Sequence, residues 1–254
     1  KLSTEKIDRT KDAKILNPSG LKITPPPYTG WEMDNWFPNY SEFVGTLISS
    51  LVEFKYSAVW PGTKEGIDGN EMYFSGALTK NELNKPLSRF LKSCFDAICA
   101  QQDKKFFVED NTHSLLFAKD LMDLVPNGKI IHVVRDPRDV IASLINQRWA
   151  PRNLNQAIRW FGEIHSGWQK QRSMLNSEQF MEVRFEDLIN DLQGQLTKIN
   201  ALTGIDIQPS MLQVDLMNNN IGRYKKDLSM PEIQNIESQC ADILEHYQYS
   251  FAKL

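Results

Sequence analysis

The run Ile130-Ile131-His132-Val133-Val134, followed at once by Arg135-Asp136-Pro137-Arg138-Asp139, constrains this chain more than any other segment. An uninterrupted β-branched run is what a parallel strand buried on both faces requires. The residues after it read as a helix start. Asp136 suits the N-cap, Pro137 the first helical position, and Asp139 places an acid in the first turn. In open parallel sheets ligands gather outside the carboxyl ends of the strands, which is where Arg135 stands.

The flanking segments alternate in the same sense. Strands are expected at 105–109 and 179–183, and helices at 114–125, 137–148, 153–173 and 186–203. A further helix over 231–246 starts after Ser229, with Pro231 and Glu232 in its first turn. Strand–helix alternation implies a parallel sheet with helices on both sides. Upstream, 41–57 and 79–101 have helical spacing, with Ser41 and with Thr79 or Asn81 as caps, and 61–76 reads as a Gly-rich loop. The aromatic, proline-rich stretch 24–38 is irregular, a cleft wall or a packed surface loop.

Composition narrows the chemistry. A length of 254 residues with 41% hydrophobic content suits one α/β domain. A net charge of −3 and a pI near 5.9 argue against a nucleic-acid-binding surface while allowing a local cationic pocket. No apolar run is long enough to span a bilayer. Cys94, Cys99 and Cys240 form no disulfide framework or metal knuckle, and the four histidines include no H-x-x-x-H pair, so no metal site is expected. Thiols of this kind fit a reducing, cytoplasmic setting. The first residue is Lys, and a natural N-terminus upstream is expected.

Arg135 can present a bidentate fork to a phosphate. Ser143 lies two turns along the helix on the face of Asp136 and Val140, and can add a hydroxyl donor. The competing reading is a structural arginine pairing with Asp136 or Asp139. Arg138, in the first helical turn, is expected to face solvent or pair locally. His132 is expected to be structural, and Trp149, Trp160 and Trp168 to pack helices.

At these residues the chain resembles a family. The segment 129–140 together with Ser143 is similar to the 3′-phosphate-binding strand and helix of sulfotransferases that use 3′-phosphoadenosine 5′-phosphosulfate. Val108-Glu109-Asp110-Asn111-Thr112-His113 followed by a helix and Val125-Pro126-Asn127-Gly128-Lys129, then Val183-Arg184-Phe185-Glu186-Asp187-Leu188, and Ile221-Gly222-Arg223-Tyr224-Lys225-Lys226-Asp227-Leu228-Ser229 fit other family segments in the same order. The resemblance covers 105–251. It implies a P-loop-like α/β fold with a three-layer parallel sheet in a single domain, 1–254. Residues 1–104 would form a helical and loop region on the substrate side, and 105–254 the cofactor-binding core. It implies sulfuryl transfer from that nucleotide co-substrate to a hydroxyl or amine. The donor would be bound by Arg135, Ser143, Arg223 and Lys225, with no metal. The acceptor would be a small molecule or a lipid, polyketide or glycan alcohol; oligomeric state is left open. An acceptor hydroxyl needs a base. His113 is the first candidate, Asp110 the second, and Glu32 in the aromatic loop the third.

One family feature is missing from the sequence. The P-(K/R)-S-G-T-type loop that cradles the 5′-phosphosulfate at a helix start has no match. Asn17-Pro18-Ser19-Gly20 lacks its basic residue and the following Thr. The loop is expected before residue 1; the alternative is a degenerate nucleotide-binding relative without transfer activity. A P-loop kinase ranks last, because the Walker lysine loop is absent as well.

Overall fold

The computed structural model describes residues 33–57, 71–216 and 219–252. These residues group into two compact units, the first reaching Gly76 and resuming over Lys92–Phe107, the second comprising Ala77–Leu91 and everything from Val108.

In the first unit, α1 (Met33–Trp36) and α2 (Tyr40–Leu51) precede β1 (Phe54–Ser57), which pairs antiparallel with β2 (Glu71–Phe74). The helix expected over 41–57 therefore stops at Leu51. Asn39, in the left-handed region at φ 60°, precedes it instead of Ser41. Phe54 fits the helical spacing of Phe43, Leu47 and Leu51, but it joins the ladder opposite Phe74, and the two rings stack at 4.7 Å. Cross-strand aromatic pairing of this kind stabilises a short ladder. Part of the expected 61–76 loop is thus strand, and 58–70 lies outside the described residues.

Helix α3 (Lys80–Gln101) runs through the division between the units. Its start is as expected: the Thr79 amide donates to Glu82 Oε2 at 2.8 Å, and the Glu82 amide donates to Thr79 Oγ1 at 3.3 Å. That reciprocal pattern satisfies two otherwise orphan donors. The strand expected at 105–109 is not formed. No strand among the described residues lies beside it to pair its backbone. Phe106 and Val108 are exposed, while Phe107 stacks on Phe95 at 4.3 Å.

The second unit carries the parallel pair. A 3-10 turn (Thr112–Phe117) leads into α4 (Ala118–Leu124), and then β3 (Ile130–Val134), α5 (Pro137–Leu144), α6 (Leu154–Arg172) and β4 (Phe180–Arg184). β3 and β4 run parallel with Val134 opposite Arg184. Next come α7 (Phe185–Asn190), α8 (Leu192–Thr203), α9 (Tyr224–Asp227), α10 (Met230–Gln239) and α11 (Ala241–His246). The single helix expected over 186–203 is two, because Asp191 Oδ1 accepts the Gly194 amide at 3.0 Å and starts a new helix. Ser229 and Glu232 form a capping box at α10, and a break at Cys240 divides the helix expected over 231–246.

The core of this unit is Val134, Ile141, Ile158, Tyr224, Ile236 and Leu244 with their neighbours from α5, α6, α9, α10 and α11. The architecture is α/β. Among the described residues the parallel sheet has two strands. β3 is correspondingly not buried on both faces: Val134 is buried, whereas Ile131 and Val133 are exposed. No helix among the described residues is long and apolar enough to cross a membrane.

Candidate functional site

The turn from β3 into α5 is built as its sequence suggests. Asp136 Oδ1 accepts the Arg138 amide at 2.9 Å, and Pro137 occupies the first turn. The two arginines of the motif have opposite fates.

Arg138 does not face solvent: it is buried, and of the two expectations the local pair is the one formed, with Asp136. Its Nε and Nη2 donate to Asp136 at 2.9 and 2.6 Å, its Nη1 donates to Glu237, and its guanidinium lies 4.5 Å from the centre of the Tyr224 ring. Burial works against the charge, but the carboxylates of Asp136 and Glu237 outweigh it and hold the pKa above the ordinary arginine value. Glu237 Oε1 also accepts the Ala252 amide at 2.7 Å, so Arg138 ties α5 to α10 and to the C-terminal segment. It is a structural residue, and only its burial reveals that.

Arg135, at the end of β3, reaches the loop that carries Asn220. Its Nη2 donates to the Asn220 carbonyl and lies 3.3 Å from Asp139 Oδ2, and its guanidinium centre lies 5.0 Å from the Phe185 ring centroid. Its Nε is buried and has no hydrogen-bond partner among the described residues. The pairing with Asp139 expected of a structural arginine is therefore present, while the Nε keeps a free donor among the described residues.

Asp139 explains why the basic loop sits here. It is fully buried, and its two oxygens accept the backbone amides of Gly222 and Tyr224 at 2.8 and 3.0 Å. Gly222 adopts φ +73°, a conformation that side chains disfavour, so glycine suits this position. The pinned loop and α9 enclose a cleft of about 210 Å³ lined by Asn220, Ile221, Gly222, Arg223, Lys226 and Asp227. Arg223 lies in this lining, with Nε 2.8 Å from Asp227 Oδ2. Lys226 lines the cleft. Lys225, the lysine singled out from the sequence, is exposed, 5.8 Å from the Tyr224 ring centroid. Ser143 is half-buried on α5, one helical turn beyond Asp139, and so shares the face to which the loop is pinned.

His113 lies in a different place. Asn111 Oδ1 accepts its amide at 2.9 Å and caps the 3-10 turn, and its exposed ring meets Trp160 edge-on at 5.7 Å. Gly167 lets this turn approach α6, since a side chain there would meet Leu116 at 2.3 Å. Trp160 and Gly167 are seven residues apart on one face of the helix. Asp110 is exposed nearby in sequence, and Ser114 Oγ donates to Glu109 at 2.9 Å. Glu32 lies outside the described residues.

His132 is structural. Its Nδ1 is 3.2 Å from Glu182 Oε1, which also accepts Trp168 Nε1 at 2.9 Å and the Tyr247 hydroxyl at 2.6 Å, while Arg172 donates to Glu182 Oε2 at 2.7 Å. Burial pushes the Glu182 carboxyl up, yet these donors outweigh it and hold the pKa at about 2. Trp168 is fully buried and packs as expected, while Trp149 is 67% exposed and meets Trp160 of α6 edge-on at 6.2 Å.

A family profile described as the sulfotransferase family matches residues 60–209. The chain belongs to the sulfotransferase family. Among curated proteins, the chain is 23% identical over 181 residues to the omega-hydroxy-beta-dihydromenaquinone-9 sulfotransferase Stf3 of Mycobacterium bovis, covering 65% of this chain and 45% of that one. It is 27% identical over 125 residues to sulfotransferase 2A2 of Rattus norvegicus, covering 44% of this chain and 43% of that one. The chain thus matches less than half the length of these relatives. A solved structure, the sulfotransferase domain from the curacin biosynthetic pathway, superposes with a TM-score of 0.47 at 18% identity, over 65% of this chain and 69% of that one.

Proposed function

We propose that this chain binds 3′-phosphoadenosine 5′-phosphosulfate and passes its sulfuryl group to a hydroxyl acceptor. The observation that carries the reading is Arg135 at the carboxyl end of β3, with a buried, unpartnered Nε beside the Asp139-pinned loop. Buried donors in native structures have partners, and at Arg135, unlike the equally unpartnered Nε of Arg184, the place at the strand end beside the basic loop makes a phosphate oxygen a fitting acceptor. Ser143 offers a hydroxyl from the same face of α5. Arg223 and Lys226 add positive charge at the cleft. Lys225, outside that lining, contributes to the field rather than to a contact.

The donor supplies the sulfuryl group: the acceptor oxygen forms the new bond to sulfur, the bond to the 5′-phosphate breaks, and 3′-phosphoadenosine 5′-phosphate leaves. The protein's part is positioning and charge stabilisation, as in phosphoryl transfer. His113, whose exposed ring sits at the start of the 3-10 turn capped by Asn111, takes the proton of the acceptor hydroxyl; Asp110 is the second candidate. A hydroxyl acceptor is also in keeping with the name of the mycobacterial relative.

The test is transfer of labelled sulfate from the donor to a panel of alcohols and amines. Label in an alcohol fraction that depends on the chain supports the reading. Retention of all label in the donor across the panel counts against it.

A further inference from the structure

We infer that Tyr249, just past the last helix, is a positioning residue for the nucleotide site: through Glu186 it fixes the turn that carries Arg135. The inference rests on the proposed role of Arg135 as the ligand of the 3′-phosphate.

The end of α11 places the phenol. Gln248 takes a left-handed φ of 59°, its amide donates to the Glu245 carbonyl at 3.1 Å, and the Tyr249 amide donates to the Leu244 carbonyl at 2.8 Å. This pair of bonds closes the helix and turns the chain back. Tyr249 is thereby buried, with the Arg184 guanidinium centre 4.5 Å from its ring centroid. Its hydroxyl donates to Glu186 Oε2 at 2.7 Å. Burial and the neighbouring Glu186 carboxylate push its pKa well above the ordinary phenol value, so the hydroxyl stays a donor at neutral pH.

The other oxygen of Glu186 reaches the site. Glu186 Oε1 accepts the backbone amide of Asp136 at 3.2 Å, and Asp136 is both the neighbour of Arg135 and the N-cap of α5. In a capping box the side chain three residues on would reach back to that amide. Here that residue is Asp139, and its two oxygens are taken by Gly222 and Tyr224. The amide therefore depends on an acceptor from α7. The terminal torsion of a glutamate is soft, and a carboxylate bound through one oxygen can swing. Bound through both, it has one orientation, which Tyr249 sets.

A second tie runs the same way. The Asp136 carboxylate holds Arg138, Arg138 donates to Glu237, and Glu237 accepts the Ala252 amide. Both the amide and the side chain of Asp136 thus lead to residues 249–252. Tyr247 supplies the contrast. It is as buried as Tyr249 and donates to a carboxylate at 2.6 Å, but that carboxylate is Glu182, whose other partners are Trp168, Arg172 and His132.

The test is calorimetric titration of 3′-phosphoadenosine 5′-phosphate and of adenosine 5′-phosphate into the full chain and its variants. The readout is the ratio of the two affinities. A change in folded fraction does not move that ratio, since both nucleotides meet the same molecules. Tyr249→Phe keeps the ring and removes only the hydroxyl, so the variant should fold. It is expected to lower the preference for the bisphosphate about three- to tenfold, with affinity for adenosine 5′-phosphate near that of the wild type. Tyr247→Phe loses an equally buried hydroxyl and should keep the wild-type preference. In an Arg135→Ala background Tyr249→Phe should lower the ratio no further, because the two residues act in series. A preference left whole by Tyr249→Phe, an equal loss in Tyr247→Phe, or a further loss in the Arg135→Ala background would overturn the inference. A wild type with no preference shows instead that Arg135 does not hold the 3′-phosphate, and the inference falls with that reading.

Discussion

The buried carboxylate of Asp139 accepts the Gly222 amide at 2.8 Å across 83 residues of sequence. This bond and its partner to Tyr224 hold the basic loop against the strand end that carries Arg135. Asp139→Ala leaves two amides without acceptors and should cost about 3 kcal/mol of stability. Urea unfolding measures that cost. Affinity for 3′-phosphoadenosine 5′-phosphate should fall with it, and an Asp139→Ala variant with wild-type affinity would show that the loop needs no anchor.

Arg135 and Arg138 should separate cleanly. Arg138→Ala removes the partner of two buried carboxylates and should destabilise the fold by about 3–5 kcal/mol. Arg135→Ala should leave the melting temperature near that of the wild type while weakening nucleotide binding roughly ten- to a hundred-fold. Melting curves and nucleotide titrations on both variants decide it; the reverse pattern would exchange their roles.

His113→Ala should lower turnover about 10²–10⁴-fold with nucleotide affinity unchanged. Near-normal turnover would remove His113 from the mechanism and leave Asp110.

Glu182 gives the fold an acid-sensitive joint. Its carboxyl is held at about 2, below the ordinary 4.5. A depressed folded-state value means that its stabilisation is complete above pH 4.5 and is lost as the pH falls towards 2. The contribution is on the order of 3 kcal/mol. Urea midpoints from pH 6 down to about 2 should drop more steeply for the wild type than for Glu182→Gln. Parallel pH dependences would mean that Glu182 is not the group that titrates.

What the sequence made legible followed from local chemistry. Asp136-Pro137 and Ser229-Pro231-Glu232 announced their helices because capping depends on neighbours within one turn. The β-branched run 130–134 was a strand, but Ile131 and Val133 are exposed, since burial depends on what packs against a strand and not on the strand itself. Lys105–Glu109 failed as a strand for lack of a partner, and Phe54 left its helical series for a ladder with Phe74. Arg135 was singled out from its place at a strand end, which the structure bears out as the residue after β3. The role of Asp139 depends on amides 83 and 85 residues away, and the burial of Arg138 depends on Glu237, 99 residues on. No spacing rule joins such pairs. Lys225 and Lys226 could not be told apart until the turn of α9 showed which one lines the cleft.

The central claim is that Arg135 holds a phosphate on the 3′ position of the nucleotide. Calorimetric titration of 3′-phosphoadenosine 5′-phosphate against adenosine 5′-phosphate tests it most directly, in the wild type and in Arg135→Ala. The wild type should bind the bisphosphate ten- to a hundred-fold more tightly, on the order of one charge-assisted contact, and Arg135→Ala should erase most of that preference. Equal affinities for the two nucleotides in the wild type, or a preference that survives in Arg135→Ala, would contradict it.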